Sequence, residues 1–398
     1  MKRFILSFDR RLWTPNLILM ASAIFMMRFG EGILGGARTN FFVDTLGLTG
    51  GQVLWLEGIR ELPGLALMFI AAFTMRLPLS WRAAAAVLMT GIGYLLYATV
   101  GSYSALLAVA VFASLGMHMW FPLQNALAMS LSTKDKAGLV LGTLGSVGAL
   151  ASLIGMAILS LVSKLASDLP LRAYYVIGGM FVVITAVLLF RLPKDLGSTV
   201  EEQPRMLLKR RYWLYYVLTF FEGSRKQVLN TFGMLVLVDR FDLKVWQISL
   251  IMLVSSVINM LAGPYVGLLV DRFGERRSVS ISYAVLVLCC LGFAFSADVW
   301  VLVCLLLLIK LAVMMEMGLS TYIYRLAPAE ELTPTLSAGI SINHVTSVAM
   351  PLVAGALLPY VGYEGVFAGT ACMILASIPF AWMLRVNRPL VPQPELAL

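Results

Sequence analysis

The 398 residues carry 60% hydrophobic and only 13% charged side chains, with a mean hydropathy of +0.88. That composition excludes an ordinary water-soluble domain. The formal charge of +9 would suggest a nucleic-acid partner in a soluble chain, but here it must be read by position, and no nucleic acid is expected.

A bilayer core about 30 Å thick is crossed by about 20 helical residues, so the chain has room for on the order of a dozen spans. Taken in order, apolar segments run over 15–45, 51–75, 83–100, 105–131, 139–163 and 173–192, then over 212–238, 247–270, 279–295, 299–324, 336–361 and 366–386. The first is long, carries Arg28 and Glu31 and lacks a small-residue cleavage site, so it reads as a span and not as a signal peptide.

Lys2, Arg3, Arg10 and Arg11 precede the first span, while Arg76 with Arg82, Lys134 with Lys136, and Arg272, Arg276 and Arg277 follow even-numbered ones. Of 30 Lys and Arg, 20 fall in those alternate loops and the termini, 4 in the opposite loops and 6 inside spans. This asymmetry predicts a multi-pass protein of the cell membrane with both termini in the cytoplasm.

The longest polar stretch, 191–211, holds Arg191, Lys194, Arg205, Lys209, Arg210 and Arg211. It divides the chain into a six-helix bundle over 1–192, a cytoplasmic linker over 193–211 and a second six-helix bundle over 212–398. An internal repeat supports the division: at an offset of 195, Gln52 matches Gln247 and Asp44 matches Asp239. Glu31-Gly32 and Glu222-Gly223 recur in the first helix of each half, after a shift of about one helical turn. The fold class expected is therefore all-α and membrane-embedded, with twelve transmembrane helices in two pseudo-symmetric bundles.

After the eighth span the chain reads Gly267-Leu-Leu-Val-Asp271-Arg272-Phe-Gly274-Glu275-Arg276-Arg277. This resembles the cytoplasmic loop signature of the major facilitator superfamily, Gly-x-Leu-Ala-Asp-Arg-x-Gly-Arg-Lys-Lys. The resemblance implies that Asp271 and Arg272 latch neighbouring helices in one conformation without touching substrate, with Gly267, Gly274 and Arg276 in the same gating loop. The equivalent first-half loop, from Ala72 through Arg76 and Pro78 to Arg82, has lost the acid and the glycines. The fourth span lacks the buried Arg of the drug/proton antiporter pattern, and the fifth has Gly142, Gly145, Gly148 and Gly155 without its Gly-Pro pair. A standard multidrug antiporter is disfavoured accordingly.

Ionisable groups at membrane depth cost several kcal/mol unless paired or facing water, so they mark function. Arg28, Glu31 and Arg38 fall within about 80° of one another around the first span, and Glu222, Arg225 and Lys226 share a face of the seventh by the i, i+3, i+4 rule. The tenth span adds Lys310 and Glu316, and the fourth adds His118 and Asn125. The resemblance implies that the first, fourth, seventh and tenth helices line a central cavity.

Arg28, Arg38, His118, Asn125, Arg225, Lys226 and Lys310 are the candidate substrate ligands; Glu31, Glu222 and Glu316 are the candidate proton carriers. Glu57, Arg60 and Glu61 sit in the outer half of the second span, where a gating salt bridge is expected. Each group also has a plainer reading. Arg28 and Glu31 can simply neutralise each other, His118 and His344 can be hydrogen-bonded interior histidines, and Lys310 can pair with a Glu of another helix.

The glycines of the fifth and eighth spans read as close-packing positions. Cys289, Cys290, Cys304 and Cys372 read as buried packing thiols without metal-ligand spacing, and Trp13, Trp55, Trp81, Trp246 and Trp300 as interfacial anchors. No metal cluster, Gly-x-Ser-x-Gly elbow or phosphate-cradling loop is present in the sequence, so neither an enzyme nor an ATP-driven pump is expected, and no cofactor. The reading is a secondary transporter, working as a monomer by alternating access and coupled to protons or another ion, for a small organic anion or zwitterion. Arginine clusters suit such oxyanions. Export of amphipathic or cationic compounds is the alternative, with a non-transporting membrane sensor behind it.

Overall fold

The structure, a computed structural model, describes residues 13–65, 77–131, 137–196 and 208–385. Lys2, Arg3, Arg10, Arg11, Arg76, Lys134, Lys136, Arg205 and most of the linker lie outside the described residues. The described chain is helical: α1 Pro15–Asn40, α2 Gly50–Arg60, α3 Leu79–Tyr97, α4 Tyr103–Ser130, α5 Ala137–Leu165, α6 Leu171–Phe190, α7 Trp213–Gln227, α8 Gly233–Asp239, α9 Val245–Phe273, α10 Glu275–Phe295, α11 Val299–Met314, α12 Met317–Leu326 and α13 Ala329–Trp382.

Among the described residues nine helical stretches are long and apolar enough to cross a bilayer. The remaining expected spans have local reasons for falling outside that count. The second runs from α2 into residues 66–76, outside the described residues; the seventh is α7 and α8 joined through a π turn at Val228–Phe232. The eleventh and twelfth merge in α13, divided at Gly362, whose φ of 66° suits only glycine in comfort. The tenth, read as continuous from sequence, is broken between α11 and α12 at Met315–Glu316.

The helix starts follow capping chemistry. Thr14 accepts from the Leu17 amide at 3.2 Å ahead of Pro15 at the first helical position, and Ser102 accepts from Ala105 at 3.3 Å. Asp298 accepts from Trp300 and Val301 at 2.8 and 3.0 Å.

The repeat seen in sequence is a repeat of local chemistry. Gln52 reaches back to the Thr49 amide at 3.0 Å and Gln247 to the Lys244 amide at 2.8 Å, each being the side-chain half of a capping box. Gly47 and Asp242, again 195 apart, are the left-handed residues of the preceding turns, with φ of 63° and 53°. Leu48 bonds Phe42 at 2.9 Å as Leu243 bonds Leu237 at 3.2 Å. The Glu-Gly pairs obey an offset of 191 instead: a Cβ on Gly32 would collide with the Ser152 carbonyl, and one on Gly223 with the Asn343 carbonyl. In each half, then, the glycine lets the first helix touch the fifth.

By internal packing the chain forms two units. The first comprises Met1–Gln203, Asn230–Val257 and Ser347–Tyr360; the second comprises Pro204–Leu229, Ile258–Thr346 and Val361–Leu398. The first unit's core packs Leu17, Met20, Ile24 and Met27 of α1 against Val87, Trp120, Val182 and Leu189. Segments from late in the chain are tied into this unit by backbone acceptors. Asn40 donates to the Leu243 carbonyl at 2.8 Å, Ser160 to Trp246 at 3.0 Å and Trp55 to Leu352 at 3.1 Å.

Two expectations are corrected here. Cys289 and Cys290 are buried, but Cys304 and Cys372 are exposed, because a chain dissolved in lipid leaves apolar side chains on its outer face. Of the glycines read as packing positions, Gly148 and Gly155 meet α1, whereas Gly142, Gly145 and Gly267 face open space.

Candidate functional site

In the first unit the intramembrane charges form a connected network. Glu57, with 1% of its side chain exposed, receives Arg60 Nη2 at 2.7 Å and lies 3.6 Å from Arg38 Nη2. Arg60 also lies 3.7 Å from Glu61, which faces His118 Nε2 at 3.8 Å. The His118 Nδ1 lies 2.8 Å from the Ser114 carbonyl, an acceptor only, so Nδ1 carries the proton and Nε2 is the nitrogen turned to Glu61. Ser114 Oγ donates to the Arg60 carbonyl at 2.6 Å, tying α4 to α2. Arg38 makes a long contact of 3.5 Å to Thr231 Oγ1.

Arg28 and Glu31 pair with each other at 2.8 Å, so the intrahelical pair weighed from sequence is formed. Arg38 shares their face but sits ten residues, about 15 Å, further along α1. The structure groups it with Glu57, Arg60 and Glu61 and not with Arg28 and Glu31. Asn125 is exposed on α4, seven residues beyond His118.

In the second unit Arg225 and Glu316 form a tight pair. Arg225 Nη2 donates to Glu316 Oε1 at 2.6 Å, with side chains 1% and 7% exposed. The guanidinium carbon lies 4.2 Å from the centroid of the Tyr283 ring. Glu222 and Lys226, half-buried on the same face of α7, share this charge environment. Lys310 on α11 is half-buried too.

The loop motif is also built. Gly274 has φ 80° and ψ 163°, a region essentially reserved for glycine, and starts α10. Arg325 of α12 lies 2.8 Å from Asp271 and 2.7 Å from Glu275. Arg276 sits over the Trp382 ring at 4.0 Å and Arg272 over Phe273 at 5.9 Å. Sequence reading missed Arg325, Glu275, Tyr283, Ser114 and Thr231. Of these, Glu275 and Arg325 carried a signal, as charges placed at the ends of apolar spans.

The sequence matches the Major Facilitator Superfamily over residues 20–333 and again over 227–397. The chain belongs to that superfamily. Among solved structures, the nucleoside transporter NupG is similar with a TM-score of 0.76 at 16% identity, covering 94% of this chain and 100% of that one. A bacterial homolog of the human lysosomal transporter Spinster, in an inward-facing and unoccupied conformation, is similar at 0.76 and 11%, covering 94% and 97%. Among curated relatives, the multidrug resistance protein MdtG of Serratia proteamaculans (strain 568) is 24% identical over 94% of this chain and 96% of its own length. The multi-drug resistance efflux pump PmrA homolog of Lactococcus lactis subsp. lactis (strain IL1403) is 21% identical, covering 86% and 88%. This protein is thus a multi-pass membrane transporter of the superfamily, with a small-molecule solute as its substrate.

Proposed function

We propose that this transporter carries a small organic anion or zwitterion by alternating access, coupled to protons, working as a monomer in the cell membrane with both termini in the cytoplasm. The halves 1–192 and 212–398, joined by the linker 193–211, are the parts that rock. Such motion must break and remake the bonds of Asn40 to Leu243, Ser160 to Trp246 and Trp55 to Leu352. One observation supports the anion in particular. In the arginine–glutamate pairs described in the first unit's spans the cation is the accessible partner: 36% against 16% for Arg28 and Glu31, 35% against 1% for Arg38 and Glu57, and 28% against 6% for Arg60 and Glu61. A solute therefore meets guanidinium before carboxylate, and guanidinium is the group suited to oxyanions.

The carriers of the coupling proton are the acids Glu31, Glu222 and Glu316, with Glu222 the first to test. Burial disfavours a charged carboxylate and a neighbouring cation favours it, so separating the two switches proton affinity. In proteoliposomes under an imposed pH gradient, carboxylates and amino acids are expected to accumulate. Glu222→Gln should keep exchange of the same solute and lose accumulation.

A second reading is export of amphipathic or cationic compounds, favoured by the names of the curated relatives. Uptake of lipophilic cations into inverted vesicles, with no carboxylate or amino acid transported, would put that reading in place of the first.

A further inference from the structure

The buried pair of the second unit is incompletely satisfied. Arg225 gives Nη2 to Glu316, but its Nε and Nη1 have no well-formed hydrogen bond among the described residues, and the Tyr283 hydroxyl is the polar group beside them. A guanidinium has five N–H donors in a planar fork. In a membrane interior each one left without an acceptor is costly, since no bulk water replaces it. A side chain held in that state at 1% exposure is poised for an acceptor that arrives with a ligand.

Its present partner is placed to leave. Glu316 occupies the break between α11 and α12, where Met315 bonds Ala312 and Glu316 bonds Val313, both at 3.0 Å and both one residue shorter than α-helical spacing. Such tightened turns inside a span mark hinges. Ser282 donates to the Ala312 carbonyl of this turn at 2.8 Å. The carboxylate can swing at this turn while the helices on either side keep their bonds.

We propose that Arg225 is the oxyanion-binding residue for the transported solute, and that a carboxylate or phosphate oxygen takes its guanidinium by displacing Glu316. This rests on the anion reading above and goes beyond it by naming the residue, its resident competitor and the charge balance. Before binding, Arg225 and Lys226 offset Glu222 and Glu316. Once the anion holds Arg225, Glu316 is left beside Glu222 with Lys226 as the remaining cation, and two carboxylates sharing one cation take up one proton between them. One negative charge and one proton enter together, so the site's net charge is unchanged. Other titratable groups on the packed elements include Tyr283, Cys289 and Cys290 of α10, Lys310 of α11 and His344 of α13, the helix that Gly223 of α7 touches.

The test uses the purified full chain, with acetate and inorganic phosphate as separate probes against chloride at constant ionic strength. One or both should raise the unfolding temperature. In weakly buffered solution, binding should be accompanied by uptake of about one proton per anion, as the carboxylate pair predicts. Arg225→Met with Glu316→Leu removes both charges together and should weaken the response by about tenfold or more. Glu316→Gln alone should keep anion binding and abolish the coupled proton uptake. A double variant that answers the anion like the wild type, or a Glu316→Gln protein that still takes up the proton, overturns this assignment while leaving anion transport standing. No response of the wild type to either probe removes the anion reading and this site with it.

Discussion

The two sets of intramembrane charge solve the same problem in opposite ways. In the first unit Arg38, Glu57, Arg60, Glu61 and His118 form a chain in which the inner members each touch two neighbours. In the second, Arg225 and Glu316 share one 2.6 Å contact over a Tyr283 ring, with the charges of Glu222 and Lys226 close by. A network redistributes its charge when one member leaves and so suits a static anchor or gate. A single pair changes state when either partner is taken, which suits the group that meets the solute.

The largest effect expected from this comparison is on stability. Arg225→Met alone strands Glu316 at 7% exposure, and removing one partner of a buried pair costs about 3–5 kcal/mol. Glu57→Gln should cost less, on the order of 1–3 kcal/mol for a buried group losing its charge-assisted bonds, because Arg60 retains Glu61 and Arg38 retains Thr231. Denaturation of both variants in the same lipid or detergent measures the difference. Equal losses would erase the distinction between network and pair.

The Asp271 loop is the next contrast. From the motif alone, Asp271→Asn is expected to abolish the latch and sharply reduce transport while binding survives. The structure gives Arg325 a second and better-buried ion-pair partner in Glu275, whose side chain is 6% exposed against 65% for Asp271. Transport should therefore fall only partly in Asp271→Asn and sharply when Glu275→Gln is added. Initial rates in proteoliposomes decide it. A single variant as slow as the double would return the whole latch to Asp271.

What was legible in sequence was whatever depends on composition or on neighbours along the chain. Hydropathy located the spans, and the 195-residue repeat was visible because Gln52 and Gln247 perform the same capping task. Partners distant in sequence were not legible. Arg225 and Glu316 are 91 positions apart, and nothing in either segment names the other. The helical projection that grouped Arg28 with Arg38 discards distance along the axis, which is what separates them. The break at Met315–Glu316 carries no proline or glycine at its centre, so the apolar run reads straight through it. Gly274 shows the reverse case, a local backbone demand that the motif records directly.

A pH experiment compares the membrane-embedded pairs with a peripheral one. Glu331 accepts from Lys209 Nζ at 2.8 Å, from Tyr212 at 2.9 Å and from Arg211. The Lys209 hydrogen bond above all holds its carboxyl down to about 2. A depressed carboxyl contributes stability above its unfolded value of about 4.3 and loses it as pH falls through the folded value. The difference in unfolding temperature between wild type and Glu331→Gln should be constant from neutral pH to about 5 and shrink toward 2. It should also shrink with added salt, as exposed pairs do. A difference that disappears between about pH 6 and 5, above the unfolded carboxyl's range, would assign the stabilisation to another group.

The smallest effect concerns the two equivalent turns, where the halves differ by one residue type. Gly47 at φ 63° and Asp242 at φ 53° hold the same left-handed position, and a Cβ on Gly47 would meet nothing within 4 Å. The second half therefore shows that the turn accepts a side chain, and aspartate is among the few residues that enter this region readily. Gly47→Asp should change stability by less than about 0.5 kcal/mol, whereas Gly47→Val should cost about 1–2 kcal/mol, because a β-branched residue clashes in left-handed backbone. The two variants fill the same empty space and differ mainly in what their backbone tolerates. Matching unfolding temperatures for Gly47→Asp and Gly47→Val would mean that the turn relaxes to ordinary φ when asked, and that the conformational likeness of the two halves at this point is a result of sequence and not a requirement of the fold.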